Sequence, residues 1–225
     1  SGRSTVNTGG ALSVQSGEGT ATTSGTIVIR SANAGTSGIS GMLVFSTGTS
    51  SAGNSGGLII GSGAATGGRG GMVTISAGSG TSGMGGALSV LSGRSTVNTG
   101  GQLSVESGEG TATSSGVIAV RSANSGAAGV SGRLVFSSGS AVSGNTGALF
   151  VGSGVATGGR AGMVSISVGS GTSGTGGALS VLSGRSTVNS GGALSLESGE
   201  GTATSSGVIS IRTANAGGTS VSGRL

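Results

Sequence analysis

The chain has 225 residues, 55 of them Gly, and its only aromatic residues are Phe45, Phe136 and Phe150; the formal net charge is +5. Pro, Cys, His, Trp, Tyr, Lys and Asp are absent, so disulfides, thiolate metal sites and nucleophiles activated by an imidazole or amine are excluded. Collagen is excluded too, because Gly does not fall at every third position and Pro is missing.

The opening stretch SGRSTVNTGGALSV (residues 1–14) returns at Ser92 as SGRSTVNTGGQLSV and at Ser183 as SGRSTVNSGGALSL, 91 residues apart each time. Three blocks follow: 1–91, 92–182 and the partial 183–225. Self-similarity at a fixed period is the mark of a repeat architecture. Within each complete block the sequence falls into six lines, five of 15 residues and a third of 16. The chain begins at Ser and stops inside a line, so it is expected to be a segment of a longer repeat protein, and a missing leader means nothing. No window approaches the ~20 apolar residues of a membrane span.

Taken in order, each line ends in an alternating apolar run preceded by Gly. Leu12 and Val14 are followed by Ile27 and Ile29, Leu43 and Phe45, Leu58 and Ile60, Val73 and Ile75, then Leu88 and Val90. Alternation of this kind predicts strands with one covered side, and a weaker second strand is expected near Thr5 or Thr20. A flexible Gly/Ser linker would not need this regular supply of Leu, Ile and Val. Helix is disfavoured because Gly costs ~1 kcal/mol per position relative to Ala. The spacing predicts an all-β protein, a parallel β-solenoid (β-helix) with one 15-residue coil per line and six coils per 91-residue block. An antiparallel meander of hairpins is the alternative. The extra residue of each third line, near Ile39, Val130 and Val221, reads as a loop bulge.

The charges favour the solenoid. Arg3 precedes Glu18 by one line, Arg94 precedes Glu109, and Arg185 precedes Glu200; in a second column Glu106 precedes Arg121 and Glu197 precedes Arg212. All five Glu have an Arg one line away, and Gln15 takes the place of Glu opposite Arg30. Neighbouring coils ~4.8 Å apart would place these charges in attractive register. Between the two alternating residues, Val28, Val44, Ile59, Val135 and Phe150 point the other way and form a candidate lateral interface, since contiguous exposed apolar patches mark contacts.

Other motifs carry less. Gly78, Gly80 and Gly83 spell GxGxxG, repeated at Gly169, Gly171 and Gly174, but no helix follows to complete a dinucleotide site. Gly53-Asn54-Ser55-Gly56-Gly57 fits GxSxG without a base to activate the Ser. No enzyme activity, cofactor or metal is expected. Nucleic-acid binding would need denser basic clusters and stacking aromatics. Thr20 and Thr22, Thr111 and Thr113, and Thr202 and Thr204 give the TxT element of a candidate ice face, in one line out of six.

The repeat style SGxxTxxxGGxLxV resembles long low-complexity proteins of diatoms and other stramenopile algae, and is similar to the solenoid shafts of bacterial adhesins. That resemblance implies an extracellular, secreted or cell-surface location and a fibrous or adhesive role. The expected function is a non-enzymatic structural protein: a Gly- and Ser/Thr-rich tandem repeat that self-assembles into a fibril or filament, with itself as partner and no membrane. Ice binding is the alternative, and a shaft that binds acidic polysaccharide through its Arg rows is the further one.

Overall fold

A computed structural model describes residues 2–217 and 221–224, which leaves a short part of the third block outside the described residues. It divides into two units, Ser1–Gly116 and Val117–Leu225. Among the described residues there is no β-strand and no helix. The parallel β-solenoid is therefore not formed, and neither is the antiparallel meander. No described helix is long and apolar enough to cross a membrane.

The 15-residue period survives as a period of bends. They fall at 5–7, 20–22, 51–53, 66–68, 81–83 and 96–98, and continue at 111–113, 142–144, 157–159, 172–174, 187–189 and 202–204. The second strand expected near Thr5 and Thr20 is one of these bends. In the two complete third lines a turn at 36–37 and 127–128 replaces the bend. It is closed by Gly38 N–H donating to Gly35 O and Gly129 N–H to Gly126 O, both at 3.2 Å. Ser16 Oγ donates to Gly25 O nine residues on, whereas Ser31 Oγ donates to Gly41 O ten residues on. The additional residue is thus taken up inside the loop, and the base of the loop keeps its geometry.

The local course of the chain explains why no sheet forms. In eight lines the Gly at position 10 donates its N–H to the carbonyl of the Gly at position 2 of the same line, as Gly10 does to Gly2 at 2.8 Å and Gly25 to Gly17 at 2.9 Å. Each of these eight lines is a loop pinched at its base. Position 10, or 11 in the longer third lines, is Gly in all fifteen lines. A Cβ there would lie 3.0 Å from Ser62 Cβ at Gly71 and 3.1 Å from Ser16 Cβ at Gly25. The close approach of two chain legs requires Gly at one leg and a small residue at the other. The atoms nearest to such a Cβ belong to the glycine's own line. A ladder between lines would need these donors and acceptors turned outward to the neighbouring line. Here they close on themselves.

One line tests this account from within. Val168 stands where the preceding block has Ala77, and the pinch lengthens from 2.8 Å at Gly86–Gly78 to 3.4 Å at Gly177–Gly169. A Cβ on Gly177 would meet Val168 Cγ1 at 2.4 Å. The branched side chain wedges the legs apart. Val168→Ala is expected to shorten this bond and slow exchange of the Gly177 amide several-fold, read by amide hydrogen exchange; an unchanged rate would reject the wedge.

Among the described residues no hydrophobic side chain is buried, and the accessible surface is 21936 Å². A compact protein of 20.4 kDa would expose about 8,800 Å² and its unfolded chain about 29,600 Å². Only about a quarter of the unfolded surface is covered, against roughly 70% for a folded domain of this size. The lines do shelter one another slightly. In the first unit, Leu12 of the first line is 80% exposed, whereas Ile27 and Leu43 at the same place in the next two lines are 48% and 49% exposed. A preceding line covers part of that side chain, and nothing covers the rest.

Candidate interaction surface

The candidate site is a surface, built from three sets of side chains: hydroxyls at the first bend of each block, charges at the edges of some lines, and the apolar runs. A hydroxyl first fixes the loop. Ser4 Oγ accepts N–H bonds from Val6 and Asn7 at 3.4 and 2.9 Å, and Ser95 and Ser186 do the same for Val97 and Asn98 and for Val188 and Asn189. A Ser just before a bend stabilises it in this way. The 91-residue repeat therefore reproduces the same local bonds in all three blocks.

The TxT residues sit on these bends, with Thr20 and Thr22, Thr111 and Thr113, and Thr202 and Thr204 at their two ends. They do not lie along a strand. Of the GxGxxG glycines, Gly83 and Gly174 close a bend and Gly80 and Gly171 stand just before it, where a Cβ on Gly80 would meet Gly83 O at 2.7 Å and on Gly171 would meet the equivalent Gly174 O at 2.9 Å. These glycines serve a tight chain reversal, not a phosphate cradle.

The charge columns occupy the edges of the lines. Arg3, Glu18, Arg94, Glu109, Arg185 and Glu200 stand before the bends, and Glu106, Arg121, Glu197 and Arg212 stand just after the apolar runs; all are exposed. Their spacing of ~4.8 Å belonged to paired strands, and with no sheet that reason for pairing between neighbouring lines is gone. Arg121 borders a shallow recess of 320 Å³ with Ser122, Ala123 and Asn124. The residue order Arg-Ser/Thr-Ala-Asn recurs at Arg30 and Arg212.

The apolar runs form the largest uncovered feature. Val28, Val44, Ile59, Val135 and Phe150 are all exposed, Ile59 by 94% and Phe150 by 92%. The flanking residues that were expected to fill a core are exposed as well, by about half or more. In the second unit Phe136, Leu149, Phe150, Val151 and Gly152 line an open apolar groove of 490 Å³. Among the described residues no group of three His, Cys, Asp or Glu gathers.

Sequence reasoning missed the base of the loop, formed by the small residue at position 1 and the Gly at position 10. The signal was present, because that Gly stands in every line while its neighbours vary. No family model, curated protein or solved structure matches the chain.

Proposed function

We propose that this chain is a non-catalytic structural repeat, a segment of an extracellular fibre built by association of copies of the same repeats. The observation that supports this is the uncovered apolar run in each of the fourteen complete lines, with no hydrophobic residue buried among the described residues. Ordering this many residues costs on the order of 1–2 kcal/mol each, and apolar burial is the main term that offsets it. A solitary copy lacks that burial. A partner carrying apolar groups at the same 15-residue spacing would supply it, and another copy has that spacing by construction. The extracellular placement rests on the resemblance to algal repeat proteins and adhesin shafts.

Electron microscopy with sedimentation velocity on the purified chain tests this. Filaments or large assemblies that grow with concentration are expected. A chain that stays monomeric at millimolar concentration would overturn the fibre. Ice binding through the Thr of the bends is the competing reading, and thermal hysteresis by the monomer would favour it. The Arg rows would be the contact in a polysaccharide-binding shaft, seen as binding to an acidic polysaccharide that salt weakens.

A further inference from the structure

We infer that the recess beside Arg121, with its counterparts at Arg30 and Arg212, holds one anionic group, a carboxylate or a sulfate, of an acidic polysaccharide; this binding is separate from self-association. The order Arg-Ser/Thr-Ala-Asn occurs once per block, at 30–33, 121–124 and 212–215. Each time it leads into the third line. In the two complete blocks the chain beyond it takes the same local course. The turn closes with a 3.2 Å bond in both, Gly38 to Gly35 and Gly129 to Gly126. Ser31 Cβ and Ser122 Cβ lie 3.1 and 3.2 Å from where a Cβ on Gly41 or Gly132 would stand. Ser31 Oγ donates to Gly41 O at 2.8 Å, so this hydroxyl fixes the leg that carries Arg30 and Asn33. In the third block Thr213 Cβ keeps the same neighbour, at 3.5 Å from a Cβ on Gly223, and the turn lies outside the described residues.

The recess bordered by residues 121–124 has a volume of 320 Å³, at the small end of the ~300–1,000 Å³ of ligand sites. Its lining supplies a guanidinium and a carboxamide, and no carboxylate. A guanidinium presents paired N–H donors that match two oxygens of a carboxylate or sulfate. The Asn amide both donates and accepts, as the hydroxyls of a sugar do. No aromatic ring lines the recess, so a nucleobase finds nothing to stack on. In a solenoid Glu106 and Glu197 would have stood against Arg121 and Arg212; with no strand among the described residues, no ladder holds them there. One exposed guanidinium holds an anion only weakly. Three equivalent sites on one chain change this, because a polymer bound at one recess reaches the next as an intramolecular step. An acidic polysaccharide carries its anionic groups at short, regular intervals, so one always lies near the next recess whatever the separation.

The test immobilises the full chain at low density, so that copies do not meet, and titrates it with polygalacturonate, dextran sulfate, neutral dextran and a single-stranded oligonucleotide. Binding to an acidic polymer and none to neutral dextran is expected. Arg30→Gln, Arg121→Gln and Arg212→Gln together should weaken it about 100-fold, the scale of avidity from linked contacts. Arg69→Gln, Arg133→Gln and Arg160→Gln together remove the same charge and should cost less than about threefold, since distant exposed charges are screened. Equal losses in the two sets would overturn the recess in favour of general attraction. Lys at 30, 121 and 212 keeps the charge without the paired donors and should leave binding about tenfold below the parent; full affinity would reject the guanidinium contact. Unchanged exchange of the Gly38 and Gly129 amides checks that the loops are intact in each variant. The acidic polymer that tolerates more salt names the anion as carboxylate or sulfate. Equal or tighter binding of the oligonucleotide would overturn the polysaccharide. No binding to either acidic polymer would reject the site and leave the fibre standing, whereas binding by a chain that never assembles would reject the fibre alone.

Discussion

Phe150→Ser is expected to leave the isolated chain unchanged and to weaken its self-association by about 10- to 100-fold. Phe150 is 92% exposed, so its removal takes almost no burial away from the monomer. On contact with another copy the ring is free to enter an apolar surface, and burying a Phe side chain contributes about 1.5–3 kcal/mol. That is one to two decades in affinity. The groove beside it, lined by Phe136, Leu149 and Val151, offers a second copy a matching depression. Sedimentation equilibrium of F150S against the parent chain measures the shift, and amide exchange checks that the loops are intact. Equal association constants would mean that this row of apolar residues is not the lateral contact. The first block carries Ile59 at the equivalent place, and Ile59→Ser should act in the same direction with a smaller effect because less apolar area is lost.

The second large effect concerns the loops themselves. Gly110→Ala should open its bend, whereas Gly108→Ala, two residues earlier in the same line, should be tolerated. A Cβ on Gly110 would lie 2.4 Å from Ser114 O and 2.8 Å from Thr113 O, both backbone atoms that cannot swing aside. A Cβ on Gly108 meets nothing within 4 Å. Relieving such a clash by shifting backbone costs roughly 1–3 kcal/mol. The reporter is the Gly116 amide, which donates to Gly108 O at 2.9 Å across the base of this loop. Its exchange should quicken by one to two decades in G110A and stay near the parent rate in G108A. Similar rates in the two variants would show that the loop does not depend on this close approach. The equivalent Gly19 and Gly201 face the same crowding, 2.5 Å from Thr23 O and from Ser205 O, so the test can be repeated in the other blocks.

Much of this was readable from residues alone. The line length, the six-line block and the lengthened third line came directly from the positions of Gly, Leu and Val. In the structure they became bends every 15 residues, with a turn in the third line. The alternation at Leu12 and Val14 or Ile27 and Ile29 predicts strands with one covered side, and among the described residues there is no strand and these side chains are exposed. On sequence alone the TxT element is a candidate ice face and GxGxxG is set aside for want of a helix; the structure places TxT on bends and the last glycine of each GxGxxG in one.

By itself the sequence determined what repeats, at what spacing, and which side chains recur together, because those are properties of order along the chain. Only the tertiary structure decided where the backbone hydrogen bonds go. A period of 15 residues is equally compatible with a carbonyl that bonds the next line and one that bonds its own. The choice turns on a competition between distant and local partners, and closing a loop of eight residues costs less entropy than assembling a sheet from many lines. Gly at position 10 and a small residue at position 1 let the two legs of one line approach closely. The local bond forms, the lines stay unpaired, and the apolar runs are left on the surface.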